Sequence, residues 1–379
     1  MKKRIFYIVV AILLLYLVII GSVWLSQNSI TLKGNRMQRI MQSPNYKNSK
    51  FQNKVPTAMM LEGSFIEMFK EYVFGKQLRT PSESLPVVKL DPASIGNSSK
   101  NDVKLTWLGH SSVLIEFGEL IVLTDPVFNL NPGPVSPFTL KRFHSMLPLE
   151  SNDMPEVDLV IISHNHYDHL DYKTIKAIHK KVKKFAVPLG VAAYLEKWGV
   201  DPAKIVELDW YEDAKISPAL KIRATPSQHF SGRGFFDRDK TLWASWVIEG
   251  KVGSKKRKVF FSGDSGYSAS LAEIGKEYGP FDVTILEMAQ YSRFWPDLHM
   301  NPEQAIRAHM DLRGKLMLPI HWGTFNLSLH SWTEPIERLV KEAAGKKVLV
   351  ATPIAGAPFA FSSTLPTEHW WKDTDNRDE

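Results

Sequence analysis

The sequence predicts an α/β fold built around a mixed sheet. From Val103 onward, short apolar runs rich in Val, Ile and Phe recur, arranged as hairpins at first and alternating with helical stretches later. Where several of these runs stop, a His or Asp appears beside small residues, and strand mouths are where α/β proteins carry their chemistry.

The chain opens on Lys2, Lys3 and Arg4, and no further charge follows until Lys33. The 21 residues from Ile5 to Leu25 are mostly Ile, Leu and Val and would span about 31 Å as a helix, the thickness of a bilayer core. A cleaved secretory signal would have a shorter apolar region and a small-residue cleavage site. Residues 1–26 therefore read as an uncleaved, single-pass anchor that puts the protein in the lipid bilayer. The basic flank stays cytoplasmic by the positive-inside rule, which places the body in the periplasm or outside the cell. Lys33, Arg36 and Arg39 on the far side oppose that orientation.

Residues 27–100 read as a polar stalk, then an apolar stripe at helical spacing (Leu61, Phe65, Met68, Phe69, Tyr72, Val73), then a Pro- and Ser-rich loop. The stripe is expected to pack on the main domain; the alternative is that it touches lipid or presents a greasy substrate. Residues 101–365 form the compact domain. Strands are predicted at 103–108, 111–117, 120–124, 157–162, 184–187, 205–208, 220–224, 241–248, 258–262, 282–286, 316–320 and 347–350. Helices are predicted at 172–182, 190–198, 268–277, 301–312 and 333–344. Residues 366–379 read as a loose polar tail.

Cysteine is absent, which excludes disulfides, sulfur-ligated metals and Cys nucleophiles. The net charge is +7, with basic runs at Lys180–Lys184 and Lys255–Lys258. Both runs read as solvated faces, with attraction to anionic lipid as the second reading. No base-stacking or DNA-binding pattern accompanies them, so no nucleic-acid partner is expected. A homo-oligomer is compatible with the sequence.

The richest stretch follows the apolar run Val157–Ile162. From His164 to Asp171, three imidazoles and two carboxylates fall in eight residues, with H-x-H-x-D-H spacing. His164 and His166 can point into one metal, while Asp168 and His169 on the turn can reach a second. Imidazole and carboxylate without thiolate suit zinc, and iron or manganese less firmly. Three more strand ends carry a lone ligand: His229 in Ser227-Gln228-His229-Phe230, Asp264 in Ser262-Gly263-Asp264-Ser265-Gly266, and His321 in Pro319-Ile320-His321-Trp322-Gly323.

The order of these motifs, preceded by Leu123-Thr124-Asp125-Pro126, resembles the metallo-β-lactamase superfamily. The segments Thr106-Trp107-Leu108-Gly109-His110, Ser163 to Tyr172, Glu207-Leu208-Asp209-Trp210, Thr225-Pro226-Ser227-Gln228-His229, Phe281-Asp282 and Ile320 to Phe325 look like the N-acylphosphatidylethanolamine-hydrolysing phospholipases D. The resemblance covers residues 85–345. It implies an αββα sandwich and two Zn²⁺ per chain: His164, His166 and His229 on one, Asp168, His169 and His321 on the other, and Asp264 bridging. It also implies Asp125 and His110 supporting the ligands, and His299 near the substrate phosphate or leaving group. Asp171 either supports a ligand or caps the helix starting at Tyr172. The implied reaction is hydrolysis of a membrane phospholipid by hydroxide held on the metals, with Asp168, Asp264 and His299 as the catalytic groups.

Two departures bear on substrate. Gly-Asp-Ser-Gly stands at 263–266 where the family often has Gly-Asp-Thr-Gly. The stretch Met288–Trp295 differs more, and in it Tyr291, Arg293 and Trp295 are candidates for substrate contact. His144, His179, His309, His330 and His369 lack ligand-like company and read as non-catalytic. A lactone, a β-lactam or a cyclic phosphodiester is an alternative substrate for the same metals. A di-iron redox protein and a metal-binding scaffold without turnover are the readings from other classes.

Overall fold

Two mixed sheets face each other in this computed structural model, which describes residues 27–97, 102–133, 140–234 and 236–374 and positions 7, 10, 18, 21, 22, 24 and 25 before them. Helix α1 (Gly34–Gln42), a short hairpin of β1 (Tyr46–Lys47) and β2 (Lys50–Phe51), and helix α2 (Phe65–Phe74) come first. The first half of the sandwich follows: β3 (Val103–Trp107), β4 (Val113–Phe117), β5 (Leu120–Thr124), β6 (Val157–Ile161), α3 (Tyr172–Ile178), β7 (Val182–Pro188), α4 (Ala192–Lys197) and β8 (Ile205–Leu208). The second half runs β9 (Asp213–Ser217), β10 (Leu220–Thr225), β11 (Ser245–Val252), β12 (Lys255–Phe261), α5 (Ser270–Tyr278), β13 (Phe281–Glu287), α6 (Pro302–Asp311), β14 (Gly314–Ile320) and α7 (Glu334–Lys346), and β15 (Pro358–Ala360) returns to the first sheet.

The first sheet has the order β15-β3-β4-β5-β6-β7-β8, antiparallel as far as β5 and parallel beyond it. The second has the order β14-β13-β12-β11-β10-β9, parallel from β12 to β14 and antiparallel otherwise. Side-chain alternation divides the first sheet between two layers. Val113, Ile115, Phe117, Val122 and Leu159 pack in one core with Trp246, Ile248 and Phe260 of the second sheet. Leu114, Ile121, Leu123 and Val160 face the other way and pack with Ile175, Ile178, Tyr194 and Leu195 of α3 and α4. Leu271, Ile274, Ile306, Ile336 and Leu339 of α5 to α7 close the far side of the second sheet. The layers are therefore α, β, β, α.

The structure departs from the sequence reading at several places. Most of Ile5–Leu25 lies outside the described residues, and among the described residues no helix is long and apolar enough to cross a membrane. The segment read as a stalk is bound along the domain. Ile40 and Phe51 join the main core, Arg36 pairs with Glu196 at 2.5 Å and Glu207 at 3.0 Å, and Asn53 exchanges hydrogen bonds with the His229 backbone. Its polar residues are partners for the domain, which is why composition alone made it look solvated. The stripe of α2 does not pack inward, and none of the helix residues is buried. Arg293 of the domain pairs with Glu67 at 2.8 Å and Glu71 at 2.9 Å, which holds the polar edge of α2 to the domain and leaves the apolar side outward. Residues 347–350 form no strand beyond a bridge from Val350 to Met317, and the edge strand β9 was not foreseen.

The tail is also bound. Trp370 stacks on Trp322 at 5.4 Å and Trp371 packs edge-on to Trp322 at 5.5 Å; Trp322 in turn stacks on Trp107 at 5.5 Å. These indoles back the turn that carries His321. Trp371 is 1% exposed and its Nε1 donates to Glu337 Oε1 at 2.5 Å. Trp371→Ala should therefore cost about 3–5 kcal/mol of unfolding free energy, read by denaturant titration. A loss within measurement error would mean the tail does not hold the core.

Candidate metal centre

Seven strand ends and turns deliver polar side chains to one place. Gly109 turns the chain after β3 to present His110, and β5 ends at Asp125. The loop after β6 supplies Ser163 to Asp171. β10, β12, β13 and β14 lead to His229, Asp264, Glu287 and His321. Left-handed backbone occurs at His110 (φ 54°), Asp125 (φ 34°) and His321 (φ 69°), a conformation that costs non-glycine residues free energy and clusters at functional sites. Two glycines make the approach feasible. A Cβ at Gly263 would lie 2.4 Å from Ser163 Cβ, and one at Gly266 would lie 1.9 Å from the Asp297 carbonyl oxygen.

Asp264 stands at the centre. Its carboxylate lies 3.1 Å from His169 Nε2, 3.2 Å from His321 Nδ1, 3.6 Å from His229 Nε2 and 3.8 Å from His164 Nε2. Two groups of donor atoms meet there. The first is His164, His166, His229 and Asp264. The second is His110, Asp168, His169 and His321. All seven residues expected to hold metal are thus together, and His110 joins them, with its Nε2 2.8 Å from Asp168 Oδ2. Asp125 is fully buried: its Oδ1 accepts from Ser163 N at 2.7 Å, and its Oδ2 accepts from Ser163 Oγ at 2.5 Å and lies 2.7 Å from His169 Nδ1. This is the supporting place expected for it. Asp171 is not in the cluster: its Oδ2 accepts from Thr174 N and Oγ1 at 2.8 and 2.7 Å, so it caps α3.

The ring nitrogens are placed so that a cation could sit between them. Burial first, then the neighbouring rings, holds His164 and His229 well below the ordinary imidazole range, and burial lowers His166 to about 4. Neutral rings present lone pairs, yet His166 Nδ1 sits 2.7 Å from His164 Nε2 and 3.3 Å from His229 Nε2. Asp264 Oδ1 and His169 Nε2 have no hydrogen-bond partner. Converging lone pairs and orphaned buried donors fit divalent metal held by imidazole and carboxylate.

The cleft above this cluster holds about 410 Å³. His166, Asp168, His229, Asp264, His299 and His321 form its floor, with apolar walls from Met59, Met60, Phe230, Trp295, Leu298 and Leu327, and Arg238 on the rim. A larger cleft of about 600 Å³, at residues 80–84 and 140–145, holds none of the clustered ligands. Of the three substrate candidates only Trp295 lines the cleft. The Tyr291 hydroxyl bonds Glu334 and Arg338 on α7, each at 2.9 Å, and Arg293 is spent on Glu67 and Glu71. Glu287 was missed in the sequence; its signal was an acid ending the apolar strand β13. Buried beneath the cleft, it accepts from Met300 N at 2.8 Å and faces His299 Nδ1 at 3.5 Å. Burial pushes Glu287 up to about 7 against the pull of His299, and Glu287 in turn outweighs burial to raise His299 above its ordinary value.

A mixed αββα sandwich with His and Asp ligands at its strand ends defines a metal-dependent hydrolase of metallo-β-lactamase fold. Residues 121–322 match the beta-lactamase superfamily domain. An uncharacterized protein of Mycobacterium tuberculosis is 39% identical over 337 residues, covering 87% of this chain and 88% of its own. N-acyl-phosphatidylethanolamine-hydrolyzing phospholipase D 1 of Caenorhabditis elegans is 31% identical, covering 64% of this chain and 70% of its own. Igni18, a metallo hydrolase from Ignicoccus hospitalis, superposes with a TM-score of 0.52 at 25% identity, over 70% of this chain and all of that one. The chain belongs to the metallo-β-lactamase superfamily, close to the N-acylphosphatidylethanolamine-hydrolysing phospholipase D-like members.

Two outcomes test the centre. Asp125→Asn removes the anion that orients His169 and should weaken divalent-metal binding about 10- to 100-fold in a chelator competition. An unchanged affinity would remove Asp125 from the support of the site. Burial disfavours the His169 imidazolium, but the Asp264 and Asp168 carboxylates outweigh it and hold the ring well above its ordinary pKa. Metal must therefore displace a proton from His169 at neutral pH. Divalent-metal affinity should rise as pH is raised toward that elevated value, and a pH-independent affinity would contradict this assignment.

Proposed function

We propose that the protein is a dinuclear zinc phosphodiesterase acting on a membrane phospholipid, an N-acylphosphatidylethanolamine that it cleaves to an N-acylethanolamine and phosphatidic acid. The observation that carries this is one carboxylate, Asp264, within 4 Å of His164 and His229 on one side and of His169 and His321 on the other, under an apolar-walled cleft. His164, His166 and His229 would hold one zinc, Asp168, His169 and His321 the other, and Asp264 both. When bound, the pair supplies Lewis-acid stabilisation to a phosphoryl group and brings water toward a pKa of about 7.

The chain's own groups do the rest. Asp125 fixes the His169 tautomer, and His110 holds Asp168 in place through Nε2. His299 faces Glu287 with Nδ1, which leaves Nε2 to give a proton to the departing alkoxide oxygen. Arg238 on the rim complements a phosphate diester. Met59, Met60, Phe230, Trp295, Leu298 and Leu327 suit acyl chains and keep water from them. The phospholipid reading is further supported by the activity named for the nematode relative and by the apolar stretch at 5–25, which would anchor the protein with its catalytic body in the periplasm or outside the cell.

Protein stripped by a chelator should lose turnover of a phospholipid diester and regain it with zinc. Asp264→Asn should lose metal and activity together, by more than the roughly 100-fold that a supporting residue costs. Full activity in metal-free protein would end the proposal. Turnover of a lactone, a chromogenic β-lactam or a cyclic phosphodiester with none of the phospholipid would replace the substrate and keep the metals.

A further inference from the structure

The side-chain amide of Gln290, just beyond β13, is buried between two loops that contribute to the cleft wall. One loop, residues 288–298, carries Trp295; the other, residues 321–330, runs from the turn at His321 through Leu327. Gln290 is 5% exposed and lines the cleft with them. Its Nε2 donates to the carbonyls of His321 and Phe325, each at 3.2 Å, and its Oε1 accepts from Leu327 N at 3.0 Å. Two carbonyls at one end and an N–H at the other fix which way the amide lies. Both amide protons and the oxygen are thereby spent on the second loop.

The backbone of the same residue holds the first loop. Its carbonyl accepts from Trp295 Nε1 at 2.9 Å, and its N–H donates to His330 Nε2 at 3.0 Å. His330 Nδ1 lies 2.8 Å from the Ser331 carbonyl, so the ring proton sits on Nδ1 and Nε2 accepts. Gln290 makes these bonds in left-handed backbone, φ 61°, which costs a non-glycine residue free energy. A glycine would adopt that conformation without cost, but it would leave the carbonyls of His321 and Phe325 and the N–H of Leu327 without this partner. The bonds made by the amide hold the residue in its strained conformation.

We propose that Gln290 is a positioning residue for the substrate's acyl chain: it fixes Trp295 and Leu327 relative to each other in the cleft wall, and so sets how tightly a chain is gripped beside the metal ligands. This rests on the phospholipid reading and adds which residue makes the site select for the chain. Trp295 and Leu327 come from different loops, and each is bonded to Gln290, one through its indole and the other through its backbone. The other links between these loops involve residues that do not line the cleft: Ser328 Oγ donates to the Tyr291 carbonyl at 2.6 Å, and the Tyr291 ring stacks on His330 at 4.7 Å. A side chain that only stabilised the fold would affect every ligand alike. One that fixes the wall changes what the chain adds to binding and leaves what the head group adds.

The test is the affinity that a chain adds. The full chain, loaded with zinc and held in dodecyl maltoside, is titrated calorimetrically with methylphosphonate and with hexylphosphonate; partition into detergent is the same for every variant and cancels between them. Each buried methylene is worth about fourfold in affinity, so a partly buried chain should make hexylphosphonate bind about 100-fold more tightly than methylphosphonate. Gln290→Gly keeps the left-handed backbone and removes the amide. Gln290→Glu keeps the size and the acceptor for Leu327 N, but sets an acceptor against the carbonyls of His321 and Phe325. In both, the hexyl-to-methyl ratio should fall about tenfold, and Gln290→Glu decides if Gln290→Gly does not fold. In a Leu327→Ala background, where part of the positioned wall is gone, Gln290→Gly should lower the ratio by less than about threefold. A ratio within about twofold of the parent's overturns the proposal, as do effects of Gln290→Gly and Leu327→Ala that simply multiply. Loss of zinc from either Gln290 variant also overturns it, and makes Gln290 a support of the His321 turn alone. The readout needs no turnover. The expected ratios without phospholipid hydrolysis sink the substrate reading alone, and hydrolysis with an unmoved ratio sinks the role of Gln290 alone.

Discussion

A carboxylate buried to 3% exposure cannot stay ionised without cations around it, and Asp264 is such a carboxylate. Four imidazoles face it within 4 Å, drawn from three separate parts of the chain: the loop after β6, the end of β10 and the turn after β14. Burial alone would raise the Asp264 pKa, but His169 and His321 outweigh it and hold the group well below the ordinary carboxylate value. The two sheets must therefore meet with their ligand-bearing ends in register. Asp264 and His229 come from the second sheet, while His164, His166, Asp168 and His169 come from the first. The sandwich core and the metal set are one constraint seen from two sides.

The surroundings show how the position is enforced. His110, Asp125 and His321 adopt left-handed backbone, which a flexible loop would relax. Arg142, buried and with no carboxylate partner among the described residues, donates to the carbonyls of Leu108 at 2.5 Å and Val127 at 3.0 Å. It thereby ties the turn before His110 to the turn after Asp125. Burial lowers its pKa to about 10, still well above neutrality, so the staple keeps its charge. The indole stack of Trp107, Trp322 and Trp370 backs the His321 turn with rigid side chains. Strain at the ligands is carried by packing behind them.

The residues that cluster at the strand ends were legible in the sequence because metal-binding chemistry compresses its donors. H-x-H-x-D-H puts four donors on one turn, and each remaining ligand follows an apolar strand directly. Apart from β9 and β15, the strands and the five helices of the compact domain were legible from the same alternation, within a few residues at their ends. Residues that act through tertiary contact were not. Arg36 and Asn53 look like a polar linker until Glu196, Glu207 and the His229 backbone are set beside them. Trp370 and Trp371 sit in a charged tail whose composition hides two buried rings. Tyr291, Arg293 and Trp295 were chosen by nearness along one loop, yet that loop turns Tyr291 to α7 and Arg293 to α2, leaving Trp295 alone at the cleft. Glu287 was visible as an acid ending a strand, but nothing in its neighbours marks it as the partner of His299, twelve residues on.

The division between chemistry and specificity follows from where these residues lie. All seven candidate ligands fall within residues 121–322, the span matched to the superfamily. The cleft walls do not share that confinement: Met59 and Met60 precede the span and Leu327 follows it. Met59 and Met60 reach the cleft only because the segment from 27 onward is bound along the domain and leads into α2. A protein could keep the matched span, and with it the metals, while changing the wall through a different N-terminal segment. The shape of the cleft in this chain is then a property of the wrapping segment as much as of the sandwich. On the proposed function, the clustered His and Asp side chains would set what kind of bond is attacked, and the segment before Val103 would help decide which molecule carries it.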